Sequence, residues 1–271
     1  MKTDMKKKLT RQEEYMRRHR RHHHMITFWR VLVFALFLIL WELSADLGWI
    51  DSFFFASPSR VVSCFVKQIQ TNSLLSHIGM TLFETIISFL LVLLLSLIVS
   101  TLLWYSPKLS EVMEPYLVVL NSLPKSALAP LFIVWLGTGT RTIIVAGISV
   151  AVFGSIISFY TGFRQADEEK ITLIYTLGGT KQDAFMKVVL PGSVPILLST
   201  AKVNIGLARV GVIIGEFLAA RRGLGYLIIY GSQVFKLDMV ITSIIVLCLI
   251  ALLLYQSVQI IEHQIKIRFK M

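Results

Sequence analysis

The sequence predicts an all-α, polytopic membrane protein with six transmembrane helices and both termini in the cytoplasm. Three observations carry this reading. Hydrophobic residues make up 55% of the 271 positions and charged residues only 16%, against roughly 25% charged in an average soluble domain. The charges are also clumped. No charge occurs in the 22 residues between Arg141 and Arg164, the 23 between Asp238 and Glu262, or the 20 from Ile86 to Tyr105. Each gap matches the ~20 apolar residues that cross a bilayer core. Finally, ten of the 27 Lys/Arg lie in the first 30 residues beside three acids, which places the N-terminus inside. A soluble domain and a disordered chain are excluded, and two cysteines, Cys64 and Cys248, make no disulfide framework.

Residues 1–28 read as a basic cytoplasmic tail. Topology accounts for its charge; binding to anionic lipid or nucleic acid is the alternative, and no nucleic-acid partner is assigned. His19 and His22–His24 stand beside arginines without acids or thiols, so no metal site is expected. Residues 29–80 hold the first span, about 29–45, and an external amphipathic segment. A cleaved signal peptide is the competing reading of that span, opposed by the bulky Trp41-Glu42 pair after its core. Ser57 caps a helix that carries Val61, Val62, Phe65, Val66 and Ile69 at helical spacing.

Residues 81–261 form the transmembrane core. Span 2 covers about 82–105, and Ser106-Pro107-Lys108 turns the chain. Span 3, about 116–136, contains Asn121, Pro124, Lys125 and Pro130, with Pro115 before it, so it must be kinked or broken. Broken helices at membrane depth line pathways more often than lipid. Span 4 covers about 142–163, a cytoplasmic loop 164–193, span 5 about 194–219 and span 6 about 239–261, with a cytoplasmic tail over 262–271. On this topology 18 Lys/Arg lie inside and six outside, as the positive-inside rule requires.

The loop 164–193 is the most informative stretch. Residues 167–177 read as a short helix with acids in its first turn. Gly178-Gly179 ends it, Thr180 caps a second helix, and Pro191 stops that helix before span 5. A helix–glycine–helix pair with apolar residues at the cytoplasmic face suits a protein partner; packing on its own bundle is the bland alternative.

In span 5, Lys202, Arg209 and Glu216 recur every seven residues, and so share one helical stripe. Gly211 and Gly215 lie on the opposite side and suit close helix packing. The stripe reads as a translocation path for an anionic or zwitterionic solute. Alternatively Lys202 and Glu216 reach the two interfaces and Arg209 alone is intramembrane. Gly178-Gly179-Thr180-Lys181 lacks the upstream glycine of a phosphate loop. The chain therefore reads as no enzyme, with no cofactor of its own, and draws its energy from a partner or an ion gradient.

The loop resembles the signature of the permease subunits of ATP-binding-cassette importers. With Gly178 in the family's glycine position, Val188, Leu190 and Pro191 fall in register, while Thr172, Leu173 and Ile174 replace the usual Glu-Ala-Ala. Further likeness to the nitrate/sulfonate/taurine branch lies in Pro58-Ser59-Arg60, residues 123–131, Trp135–Gly139, Gly215-Glu216 and Gly223–Ile228. The resemblance implies a type I importer permease fold in a bacterial cytoplasmic membrane. It implies two cytoplasmic ATP-binding subunits, which hold the ATP and Mg and dock on the loop. A second permease copy, as a homodimer, and an external solute-binding protein complete the assembly. The solute would be nitrate, taurine or an aliphatic sulfonate; a thiamine precursor is the alternative. A gradient-driven transporter would instead show inverted repeats and more spans.

Overall fold

A computed structural model of the chain describes residues 11–49, 51 and 55–268. The described residues are helical with turns and contain no strand. The chain divides into two units, residues 1–63 and 64–271.

In the first unit, α1 runs unbroken from Arg11 to Asp46. At 1.5 Å per residue its 36 residues extend about 54 Å. Only Met25–Asp46 is apolar enough to cross a membrane, so the basic residues ahead of it continue the same helix. Residues 1–10 of the expected tail lie outside the described residues. Glu42 accepts a hydrogen bond from the Ser59 N–H at 3.0 Å, near the start of α2 (Pro58–Gln70).

The second unit holds α3 (Ser73–Tyr105), α4 (Pro107–Ser122), α5 (Lys125–Leu136) and α6 (Thr140–Arg164). Next come α7 (Glu168–Thr176) and α8 (Lys181–Ala184), then a π-helical turn (Phe185–Val189) leading into α9 (Leu190–Ala219). The short α10 (Leu224–Gln233) and the long α11 (Leu237–Arg268) complete it. Among the described residues of the two units together, five helical stretches are long and apolar enough to span, and the bent pair α4–α5 makes a sixth if counted as one.

At the centre, α6 packs between α3 and α9. The contact is built from small residues, as suits helices that lack a hydrophobic drive to associate in lipid. A Cβ on Gly211 would lie 2.6 Å from the Ala146 carbonyl and 2.8 Å from the Gly147 Cα; one on Gly215 would lie 2.9 Å from the Ile143 Cα. Buried polar groups bridge the same seams. Ser88 donates to the Ile144 carbonyl at 3.3 Å, Ser96 to the Val152 carbonyl at 3.4 Å, and Asn204 to Ser155.

Span 3 is broken, as its prolines require: α4 and α5 meet at a 96° bend. Pro124 disfavours helical backbone at Leu123, which is extended (ψ 140°). The Lys125 ammonium then donates to the freed carbonyls of Leu120, at 2.9 Å, and Asn121, closing the negative end of α4. One expectation needs correction: Pro191 does not stop a helix, because the chain stays helical from Lys181 to Ala219. Proline has no N–H and its ring presses on the carbonyl four residues back. The π turn before it widens the backbone, with the Leu190 N–H reaching the Phe185 carbonyl, and so takes up the misfit.

Candidate functional site

Three places in the second unit hold the candidate residues. The first is the cytoplasmic loop. Asp167 caps α7, its Oδ1 accepting from the N–H groups of Glu169 and Lys170 at 3.1 and 3.3 Å. The hydrogen bond from the Lys170 ammonium, together with these amides, holds the Asp167 carboxyl below the usual carboxylate range. At the other end of α7, Gly179 N–H bonds to the Ile174 carbonyl at 2.9 Å and Gly178 N–H to the Tyr175 carbonyl at 3.0 Å. This is a Schellman closure, and it needs both glycines. Gly178 sits at φ +81°, while a Cβ on Gly179 would lie 2.5 Å from the Ile174 side chain. Thr180 and Asp183 then cap α8 reciprocally, at 3.2 and 2.9 Å.

Aromatic packing fixes this loop to the bundle. Phe185 packs against Trp104 and Tyr105 at a tilt and edge-on against Phe163, with ring centroids 5.1, 5.5 and 5.4 Å away. Lys181 donates to the Tyr105 carbonyl at 2.9 Å and lies over the Trp104 ring. Of the residues expected to couple, Thr172 and Leu173 are exposed, Ile174 is half-buried under Gly179, and Gly178 is exposed at the turn. Val188, Leu190 and Pro191 are half-buried; Val188 lies in the π turn and the other two at the start of α9. Leu173, Leu177 and Met186 are 56%, 75% and 56% exposed, an apolar face at the cytoplasmic end.

The second place is a groove of about 650 Å³ between α9 and α11, lined by Lys202, Arg209, Ile213, Leu247 and Tyr255 among others. Lys202 pairs with Glu262 at 2.6 Å, and Lys266 pairs with the same carboxylate at 2.8 Å. Arg209 Nη1 reaches the Leu247 carbonyl at 3.5 Å, and its Nε has no partner among the described residues. Glu262, which the sequence placed in the tail, thus lies within a helix and neutralises Lys202.

Glu216 does not line that groove. The structure sets it instead in a third place, at the far end of α9, where it is 1% exposed. Glu216 lies seven residues, about 10 Å along the helix axis, beyond Arg209, past the end of the groove, whose α9 lining stops at Ile213. The Thr81 hydroxyl donates to it at 2.6 Å, and Gly225 N–H donates to its other oxygen. Thr81 in turn accepts from Leu224 N–H at 2.8 Å, and His77 Nδ1 from Gly223 N–H at 2.9 Å. The first amides of α10 are therefore received by side chains of α3 and α9. Carboxylate oxygens of Glu216 occupy the space a Cβ would need on Gly223 or Gly225, which accounts for that Gly-Leu-Gly. Glu84, buried beside Glu216, belongs to the same cluster. Sequence reasoning passed over Glu84, although an acid inside a predicted span was the available signal.

Residues 92–267 match the model of the binding-protein-dependent transport system inner membrane component family. The chain belongs to that family. The matched stretch includes the loop, α9 and α11. A probable ABC transporter permease of Haemophilus influenzae is 30% identical to this permease over 86% of its length and 95% of the relative's. A putative aliphatic sulfonates transport permease, SsuC of Bacillus subtilis, is 25% identical over 85% and 84%. Among solved structures, an inward-facing MetNI methionine ABC transporter chain superposes with TM-score 0.60 at 20% identity, covering 72% of this permease and 95% of that chain. The fold is therefore that of a type I importer permease, as expected. The permease is a multi-pass component of the cytoplasmic membrane, and its kind works with ATP-binding subunits and a substrate-binding protein.

Proposed function

We propose that two copies of this permease and two cytoplasmic ATP-binding subunits, which hold the ATP and Mg, import a small organic anion or zwitterion. An external binding protein delivers that solute. The observation that carries the mechanism is the unbroken helical run from Lys181 to Ala219. It starts at the exposed apolar loop, passes the groove that holds Arg209, and ends in the Glu216 cluster. Closure of the ATP-binding subunits would push on Leu173 and Leu177. Phe185, clamped by Trp104 and Phe163, passes that push to α9. With Lys202 neutralised by Glu262, Arg209 supplies the groove's positive charge. This supports an anionic group on the solute, as the aliphatic-sulfonate relative suggests.

Leu173→Asp with Leu177→Asp tests the coupling role. The expected result is loss of the co-purifying ATP-binding subunit and of ATP-driven uptake in proteoliposomes, with the permease still eluting as a sharp peak. Retention of the subunit at the native level would refute docking on this face. Uptake by the native chain without ATP would refute the importer mechanism.

A further inference from the structure

A cavity of about 330 Å³ lies between α3, α4 and α6 at their cytoplasmic ends. That volume is within the roughly 300–1,000 Å³ of small-molecule pockets. Ser110, Glu114 and Val118 line it from α4, each four residues from the last, and Ile157, Tyr160 and Arg164 line it from α6. Each set shares one helical face. Glu114 and Arg164 are both exposed, and neither is in an ion pair among the described residues. The Arg164 guanidinium lies over the Tyr160 ring, 5.9 Å from its centroid. The Tyr160 hydroxyl is hydrogen-bonded to the buried Ser110, so the ring that seats Arg164 is tied to α4.

The lining changes character with depth. Arg164 is the last residue of α6, and Ser110 stands in the first turn of α4; both ends are cytoplasmic. Ile157 lies seven residues before Arg164, about 10 Å into the span. Leu117 and Val118 line the cavity further along α4. Val118 is 52% exposed, so the apolar end is open along the outside of α4. The cavity is therefore charged where the bilayer meets the cytoplasm and apolar where it enters the bilayer. A soluble ion would leave the apolar end unused, and a bare acyl chain would leave both charges unmatched. An amphiphile with a charged head satisfies both.

We propose that this cavity binds the head group of an aminophospholipid, its phosphate held by Arg164 and its ammonium by Glu114. The first carbons of its chains then lie on Leu117, Val118 and Ile157. Arginine suits a phosphate, and pockets between helices on the cytoplasmic side are places where lipid heads bind. An anionic lipid without an amine would set a further negative charge beside Glu114. The bound lipid joins α4 to the end of α6 from which the cytoplasmic loop departs. The site stands apart from the solute that the permease carries.

The test uses the permease with its ATP-binding subunits in detergent. Phosphatidylethanolamine, phosphatidylglycerol and phosphatidylcholine with the same chains are titrated in, and binding is read by native mass spectrometry. We expect phosphatidylethanolamine to bind about tenfold tighter than either of the others, the size of one hydrogen bond to a charged group. Glu114→Gln should erase that preference, and Arg164→Gln should weaken all three lipids alike. Val118→Trp fills the apolar end and should abolish binding while both charges stay. Glycerophosphoethanolamine, the same head without chains, should fail to displace the lipid. Equal binding of the three lipids, or a preference that survives Glu114→Gln, overturns the site. Displacement by the chainless head at concentrations equal to the lipid overturns the lipid as its source. A preference that appears only after the ATP-binding subunits are stripped away shows that they cover the cavity, and overturns the proposal too.

Discussion

Thr81→Val replaces one buried side chain by another of nearly the same shape, and so isolates hydrogen bonding. Thr81 is 0% exposed; its hydroxyl donates to Glu216 at 2.6 Å and accepts from Leu224 N–H at 2.8 Å. Valine removes both bonds. A bond to a carboxylate contributes about 1.5–3 kcal/mol, and an orphaned buried amide costs about 1–3 kcal/mol. Interhelical bonds in lipid fall toward the lower end, so we expect a loss of about 2–4 kcal/mol. At roughly 2–4 °C per kcal/mol for a domain of this size, the midpoint of thermal unfolding should drop by about 4–16 °C. The control stands one helical turn away. Thr85 is also buried, at 1% exposed, and its hydroxyl has no partner among the described residues. Thr85→Val should therefore leave the midpoint unchanged or raise it, and Thr81→Ser should retain most of the native value. The assay is unfolding of the purified permease in detergent, followed by circular dichroism. Equal shifts for the two valine variants would refute the claim that the Thr81 bonds hold α10 to α3 and α9.

Other perturbations give equally definite outcomes. Gly211→Ala should separate α6 from α9, because its Cβ would press on the Ala146 carbonyl and Gly147 Cα; a loss of about 1–3 kcal/mol is expected. Gly206→Ala, with nothing within 4 Å, should be neutral or stabilising in the same thermal assay. Glu262→Gln leaves Lys202 without its counter-charge and should lower the unfolding midpoint by several degrees. Lys202→Met with Glu262→Met should recover most of that loss, since removing both partners leaves neither charge of the pair unmatched. The depressed Asp167 carboxyl makes the α7 cap pH-dependent. Its contribution is complete above the ordinary carboxylate pKa, near 3.9, and is lost as pH falls through the lower folded value. Amide exchange at Glu169 and Lys170 should therefore lose protection only in strong acid, beyond the change intrinsic to pH, and Asp167→Ala should lose it at every pH.

The spans and the loop were legible because their signals are local. Charge gaps mark bilayer lengths, and Gly178-Gly179 with Thr180 declares its own turn chemistry. The π turn was not legible, since Pro191 reads as a stop until the residues before it are seen to widen. Helix α10 was hidden by its glycines, which suggest a loop; the reason for them, the Glu216 carboxylate, lies up to nine residues away in sequence. The partner of Glu216 in α3 is 135 residues distant, and no periodicity within one helix reveals it. The heptad stripe gave angle but not depth along the axis, which is why it joined Glu216 to Lys202 and Arg209.

The π turn at Phe185–Val189 also sets a phase. An extra residue in a helix advances everything beyond it by about 100°. Because Gly211 and Gly215 seat α9 against α6, the membrane portion is not free to rotate, and any change of phase must appear at the cytoplasmic end. Deleting one residue of the turn would leave Arg209 facing its groove but swing Phe185 out from between Trp104 and Phe163. The wide turn thus sets a fixed angular offset between the loop end of the rod and the part that faces the α9–α11 groove.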